Sequence, residues 1–327
     1  MTAPLAEFRL AQPSTVKEAI AARLKHPGSR FVAGGTDLLV NMRRGISSPD
    51  LLVDLSGIDE LTEIKAGDRG VTIGTGVTLA ALARDPVIAA RYRALAQAAA
   101  AIAGPGHRVM ATVGGNLCLD TRCIYYNQSE WWRHANAYCL KNRGDTCHVA
   151  PQGQRCHAAF TGDLAPALLV FGAEVDIAGP KGERRIPLGE LYVEDGKAHL
   201  ALAEGELVVA VHLPAAPPPS AYEKVRVRGA IDYPLAGVAV ALTVSGTKVG
   251  SLRIALTGTN SRPFLLAGTD AFAGRPVDEK LLQEIDRLVQ KQVQPMRTTL
   301  ASANYRRVTA AALARRLTAQ LSAERTA

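Results

Sequence analysis

An α+β protein of two unequal domains is what this chain's sequence predicts. Three observations carry that reading. Before residue 214, short strand-like runs alternate with helical ones. PAAPPPS (214–220) can continue neither a helix nor a central strand. Beyond it, β-branched runs give way, from about Asp278, to Leu, Ile and Val at helical spacing. The 327 residues suffice for two domains, expected at 1–213 and 221–327 with 214–220 as the linker.

In order along the chain, Thr15 and Glu18 form a capping box ahead of the helical VKEAIAARLKH. RFVAGG reads as a strand running into a glycine turn, and TDLLVNMRRG as the helix after it. LLVDLS and GVTIGTG are strand-like, with TLAALARD a helix following the second. After the linker, YEKVRVR, AGVAVALTV and SLRIALTG have the character of antiparallel strands. The segment from about Asp278 is expected to form a small helical bundle.

Composition excludes several function classes. With 47% apolar and 21% charged residues the chain is ordinary for a globular protein. The formal charge of +8 comes from dispersed arginines, not a basic stripe, which argues against nucleic-acid binding. No basic segment with an apolar run opens the chain, and ALAQAAAAIAG (94–104) is too short to span a membrane. A cytoplasmic protein is expected. All five cysteines fall within residues 118–156; an odd number in one window argues against a disulfide framework and for metal or cluster ligation.

Two glycine turns, AGGTD (33–37) and TVGGN (112–116), could let backbone amides approach phosphate oxygens. Neither is GxGxxG nor GxxxxGK[ST], and each alone reads first as a tight turn. Together, AGGTDLLVNMR and ATVGGNLC resemble the paired pyrophosphate loops of the FAD-binding subunits in the xanthine oxidase family of molybdenum enzymes. Gly162–Leu168 (GDLAPAL), Tyr222–Arg226 (YEKVR) and Tyr305–Arg307 (YRR) extend the resemblance in order along nearly the whole chain. It implies a two-lobed FAD-binding domain with a cysteine-rich insertion, then a smaller domain of antiparallel sheet and helices. It also implies that Ala33, Gly34, Gly35, Thr36 and Asp37 bind the FAD diphosphate from one side and Thr112, Gly114, Gly115 and Asn116 from the other. Asp163 would meet ribityl or nucleotide hydroxyls, and Lys224 would reach the flavin from the second domain. Read without the resemblance, Asp163 is a helix N-cap and Lys224 an exposed strand residue. The chain departs from the family at His107-Arg108-Val109, where an aromatic or apolar residue followed by Arg-Asn is usual.

The insertion, about residues 118–157, holds every cysteine and, in CIYYNQSEWWRHANAYC, both tryptophans. Cys123, Cys139, Cys147 and Cys156 are separated by 15, 7 and 8 residues, matching neither a bacterial ferredoxin run nor a CxxC zinc knuckle. Spacing leaves open a zinc site, with or without His134, His148 or His157, and simple buried thiols. GGNLCLDTRC, YNQSEWWR, YCLK and GDTCHV resemble the flavin subunits of the 4-hydroxybenzoyl-CoA reductase branch of the family. That resemblance implies a [4Fe-4S] cluster on Cys123, Cys139, Cys147 and Cys156, with Cys118 left as a packed thiol. Tyr125, Tyr126, Trp131, Trp132 and Tyr138 then read as packing for a lobe too small for a core of its own. Arg122, Arg133, Lys141, Arg143 and Arg155, against Glu130 and Asp145, would offset an anionic cluster or steer an acidic ferredoxin.

No Ser-His-Asp arrangement, HExxH or paired-carboxylate motif is visible, so no catalytic residue is expected here. The resemblance implies an electron-transfer subunit. Its partners would be a large molybdopterin subunit and a small subunit with two [2Fe-2S] clusters, as a dimer of heterotrimers. Electrons would pass from ferredoxin through [4Fe-4S] and FAD towards molybdenum, where 4-hydroxybenzoyl-CoA is dehydroxylated to benzoyl-CoA. The alternative is a related hydroxylase or dehydrogenase with electrons flowing outward. A zinc-braced assembly protein and a stand-alone flavin oxidoreductase are the readings from other classes.

Overall fold

The chain's shape is given by a computed structural model that describes residues 5–326. Short apolar runs near the N-terminus form three strands, β1 (Arg9–Ala11), β2 (Arg30–Val32) and β3 (Leu51–Asp54), in a parallel sheet of order β1-β3-β2. Helix α1 (Val16–Lys25) connects the first two. The Thr15 hydroxyl caps it by accepting from Glu18 N at 3.2 Å. Glu18 returns to Ser14 N at 2.8 Å, so the expected box closes one residue early. Helix α2 (Leu38–Arg43) is shorter than TDLLVNMRRG suggests, because Gly35 turns at φ +66° and Thr36 and Asp37 remain outside the helix.

An antiparallel sheet of order β4-β5-β8-β6-β7 follows, built from β4 (Ile64–Gly67), β5 (Gly70–Gly74), β6 (Glu174–Gly179), β7 (Gly182–Pro187) and β8 (Leu207–Pro214). Helices α3 (Leu79–Arg84), α4 (Pro86–Arg91) and α5 (Arg93–Ala101) come after β5. The break between α3 and α4 lies at Asp85, whose carboxylate accepts from Val87 N and Ile88 N, both at 2.9 Å. Two short helices, α6 (Pro105–Arg108) and α7 (Val113–Leu117), carry the GPGH and GGN segments. The insertion contributes α8 (Glu130–Ala135). Its ends meet: Arg122 N donates to Ala159 O at 2.7 Å and Ala159 N to Arg122 O at 2.8 Å.

Helix α9 (Leu164–Phe171, LAPALLVF) is buried at every position. It packs against both the antiparallel sheet and the strands of the second domain, and Gly172, at φ +70°, ends it. The second domain holds β9 (Ser220–Val225), β10 (Ala236–Ser245), β11 (Lys248–Thr257) and β12 (Phe264–Leu265) in an antiparallel sheet of order β12-β11-β10-β9. Its first strand stops at Val225, before the Arg226–Arg228 end of YEKVRVR. Because β8 runs to Pro214 and β9 starts at Ser220, the irregular link is 215–219. Helices α10 (Glu279–Gln292) and α11 (Ala303–Thr326) do not form a separate bundle; Leu281, Ile285, Val289 and Leu317 share one core with Val238, Val240 and Leu242 of β10. Among the described residues no helix is long and apolar enough to cross a membrane.

Arg306 on α11 is fully buried and has no carboxylate partner among the described residues. Its guanidinium donates to Leu235 O at 3.0 Å, Met296 O at 2.8 Å, Thr298 Oγ1 at 3.0 Å and Gly258 O, fastening three loops to one helix. Burial pulls its pKa down to about 10. Arg306→Met strands those acceptors and is expected to lower unfolding free energy by about 3 kcal/mol, read by urea denaturation. Unchanged stability would refute the clamp.

Candidate functional site

The two glycine turns lie against each other. A Cβ on Gly34 would sit 1.8 Å from Met110 O and 2.9 Å from Ala111 N, so only glycine lets the first turn touch the segment leading into the second. Gly114 is similarly pressed, its would-be Cβ 2.8 Å from Thr75 Cβ. Beside the turns opens a cleft of about 980 Å³. Ala33, Gly34, Gly35, Thr36, Asp37, Thr112, Gly114, Gly115, Asn116 and Asp163 all line it, as does Cys118.

Some of these residues have local duties as well. The Thr112 hydroxyl accepts from Gly115 N at 3.1 Å, and Asn116 Oδ1 accepts from Leu164 N at 3.0 Å, capping α9. Asp163 occupies the N-cap position without capping the helix. Its carboxylate instead accepts from Tyr222 Oη at 2.5 Å and pairs with Lys224 Nζ at 2.9 Å. Lys224, 3% exposed, lies behind Asp163 and does not line the cleft; it also donates to Asp232 O at 3.2 Å. Burial raises the Asp163 pKa, opposed mainly by the Lys224 charge.

Sequence reasoning did not single out the contacts across the cleft mouth. Arg122 pairs with Asp37, donates to Asn41 Oδ1 at 3.0 Å, and lies 5.3 Å from the centre of the Tyr233 ring. Tyr233, from the loop after β9, donates to Asp37 Oδ1 at 3.2 Å. No local pattern marks Tyr233, because its partner lies nearly two hundred residues earlier. Arg122 Nε, Thr161 Oγ1 and His199 Nε2 are buried, line the cleft and have no hydrogen-bond partner among the described residues. Such orphaned groups fit a polar ligand. Burial holds the His199 imidazole neutral, its pKa lowered to about 4.

The insertion brings Cys123, Cys139, Cys147 and Cys156 around one small cavity of about 10 Å³. All five cysteines are free thiols. Backbone amides point at the sulfurs: Ala158 N donates to Cys156 Sγ at 3.4 Å, those of Tyr125 and Tyr126 to Cys123, and those of Val149, Ala150 and His157 to Cys147. The Cys156 thiol, donating to Cys147, draws the latter's pKa down to about 4 and pushes its own up. Burial raises Cys123 and takes Cys118, apart from the four, up to about 12. Among the described residues no three His, Cys, Asp or Glu side chains are grouped to hold a single metal ion.

One expectation about this lobe needs correction. Trp131 is not packing; it is 77% exposed, because α8 turns it outward while Arg133, two residues on, is buried. Each of the basic residues has a carboxylate partner within the fold, and Arg133 and Arg143 share one, which leaves a positive excess there. Arg133 and Arg143 share Glu130 at 2.6 and 2.5 Å, Lys141 takes Asp120 at 2.6 Å, Arg155 takes Glu194 at 3.4 Å, and Arg122 takes Asp37.

Residues 6–216 match the family model described as the FAD binding domain in molybdopterin dehydrogenase, and residues 220–321 the CO dehydrogenase flavoprotein C-terminal domain. The chain is 34% identical over 282 residues to the aldehyde oxidoreductase FAD-binding subunit PaoB of Escherichia coli, covering 81% of this chain and 85% of that one. It is 28% identical to the carbon monoxide dehydrogenase medium chain of Afipia carboxidovorans, over 94% of each. A crystal structure of a Cu,Mo-CO dehydrogenase in its cyanide-inactivated form superposes with a TM-score of 0.80 at 26% identity, covering 98% of this chain and 99% of that chain.

Gly34→Ala must drive the two turns apart and is expected to cost the purified protein its bound flavin, assayed by absorbance; full flavin retention would contradict the loop geometry. Lys224→Met leaves the buried Asp163 carboxylate without its cation and should destabilise the fold by about 3 kcal/mol. Adding Asp163→Asn should restore part of that loss in a double-mutant cycle by denaturation; strictly additive losses would show that the pair is not coupled.

Proposed function

The chain belongs to the FAD-binding subunits of the xanthine oxidase family of molybdenum hydroxylases, and from that premise we propose that it is the electron-entry subunit of a reductase of the 4-hydroxybenzoyl-CoA type. The cleft holds FAD, and the cysteine lobe holds a [4Fe-4S] cluster on Cys123, Cys139, Cys147 and Cys156. A large molybdopterin subunit, a small [2Fe-2S] subunit and a ferredoxin donor complete the system as a dimer of heterotrimers. The observation that carries the reading is the convergence of four cysteines, separated by 15, 7 and 8 residues, around one cavity beside the cleft.

When bound, FAD and the cluster supply the redox chemistry. The residues of this chain bind and orient them. Ala33, Gly34, Gly35, Thr36 and Asp37 from one glycine turn and Thr112, Gly114, Gly115 and Asn116 from the other, all lining the cleft, would hold the diphosphate between them. Asp163, held by Tyr222 and Lys224, would offer its carboxylate to the cofactor's hydroxyls. Lys224 is therefore a positioning residue, acting through Asp163. In the lobe, amides aimed at sulfur favour thiolates, the form that ligates iron. Cys123, Cys139, Cys147 and Cys156, which border the cavity of about 10 Å³, would hold the iron–sulfur core. No residue of this chain is assigned to transforming the organic substrate, which binds on the large subunit.

A second reading keeps the architecture and reverses the flow, with electrons leaving at FAD. The names of the relatives, an aldehyde oxidoreductase and a carbon monoxide dehydrogenase, favour it; the thiol lobe favours reduction.

Iron, acid-labile sulfide, zinc and flavin contents of the anaerobically purified complex, with EPR after reduction, test the assignment. Cys123→Ser should lose about four irons while keeping FAD, and Cys118→Ser should keep both. Zinc in place of iron makes the lobe a brace and overturns its redox role. Dehydroxylation of 4-hydroxybenzoyl-CoA with a low-potential donor supports the reductase; its absence beside oxidation of an organic substrate returns the second reading.

A further inference from the structure

The thiol cavity and the cleft share two lining residues. Tyr126 and Lys141 border both spaces, and Lys141 is the one cation among the residues that border the thiols. Its ammonium is fixed. Nζ donates to Asp120 Oδ1 at 2.6 Å, Gly196 O at 2.9 Å and Thr121 O at 3.2 Å, and it stands 4.7 Å from the centre of the Tyr126 ring. The side chain is only 5% exposed, while its counter-ion Asp120 is 35% exposed. The charge therefore lies on the protein side of the pair, where solvent screens it least.

Resting on the proposed cluster, we propose that Lys141 is a positioning residue for redox potential, a fixed charge in the shared wall that makes the thiol-bound centre easier to reduce. A cation beside a centre stabilises the state with one more electron, and Asp120 opposes that effect. The Lys141–Asp120 pair thus sets the potential by the balance of its two members. A merely structural role for Lys141, tying the lobe to the Thr121 and Gly196 backbones, would leave the potential where it is.

The test is a redox titration of the iron–sulfur EPR signal in the intact complex, purified anaerobically as wild type, Lys141→Gln, Lys141→Arg and Asp120→Asn. Iron, sulfide and FAD contents are measured on each. Lys141→Gln is expected to disfavour reduction about tenfold, a fall of about 59 mV for one electron. Lys141→Arg should keep the wild-type midpoint, and Asp120→Asn should raise it. Unmoved midpoints, or shifts of the same sign in Lys141→Gln and Asp120→Asn, overturn the proposal. Should Lys141→Gln lose iron, Asp120→Asn decides: a midpoint no higher than wild type overturns it. A wild-type complex with no iron–sulfide centre overturns the cluster assignment, and this proposal with it. A full centre whose midpoint ignores these substitutions overturns the role of Lys141 alone.

Discussion

The burial of α9 is the constraint on which the rest of this structure depends. A helix with no solvent-facing side must have its first amides and any polar residue at its start satisfied by protein. Asn116 meets the Leu164 amide, and Tyr222 and Lys224 meet the Asp163 carboxylate. The first partner comes from the second glycine turn and the other two from the C-terminal sheet. Burying LAPALLVF therefore fixes where the cleft loops stand and how the second domain closes upon them. Apolar burial contributes roughly 1.5–3 kcal/mol for each large side chain; the polar needs at the helix start convert that cohesion into position.

The cysteine lobe obeys a different logic. Its own cluster of buried residues is small and includes Cys123, Cys139 and Cys156 themselves. The lobe is held mainly by polar ties to the frame. Arg133 donates to Gly45 O at 2.8 Å, Asp195 accepts from Cys156 N at 3.1 Å, and Ile124 N donates to Thr298 O at 2.9 Å. Those ties reach the first sheet's helical loop, the segment before β8 and the loop that Arg306 clamps. The thiols are thereby placed relative to the cleft by the whole protein, and a bound inorganic core would serve the lobe as its missing interior.

Periodicity and turn chemistry made much of the fold legible. The strands around AGGTD, the β-branched runs past residue 220 and the cap at Thr15 all follow local rules. What stayed hidden depended on partners distant in sequence. Nothing near Lys224 announces that its ammonium turns back onto Asp163, and nothing near Tyr233 announces Asp37. The terminal helices read as a bundle because their apolar stripes do not say whether a helix or a sheet receives them. Trp131 failed for a related reason: adjacent aromatics on a helix point in directions a hundred degrees apart, so one neighbour packs while the other faces water. The cysteine spacing fitted no short motif because the four thiols meet through tertiary folding.

The antiparallel bridge between Arg122 and Ala159 has an evolutionary consequence. The lobe leaves the frame and returns to it at neighbouring points, Arg122 and Ala159. A lineage could acquire or discard this cassette in one genetic event without redrawing the cleft. On that view the chain enters and leaves the lobe through one pair of hydrogen-bonded residues, while the ties from Arg133, Cys156 and Ile124 hold it against the frame.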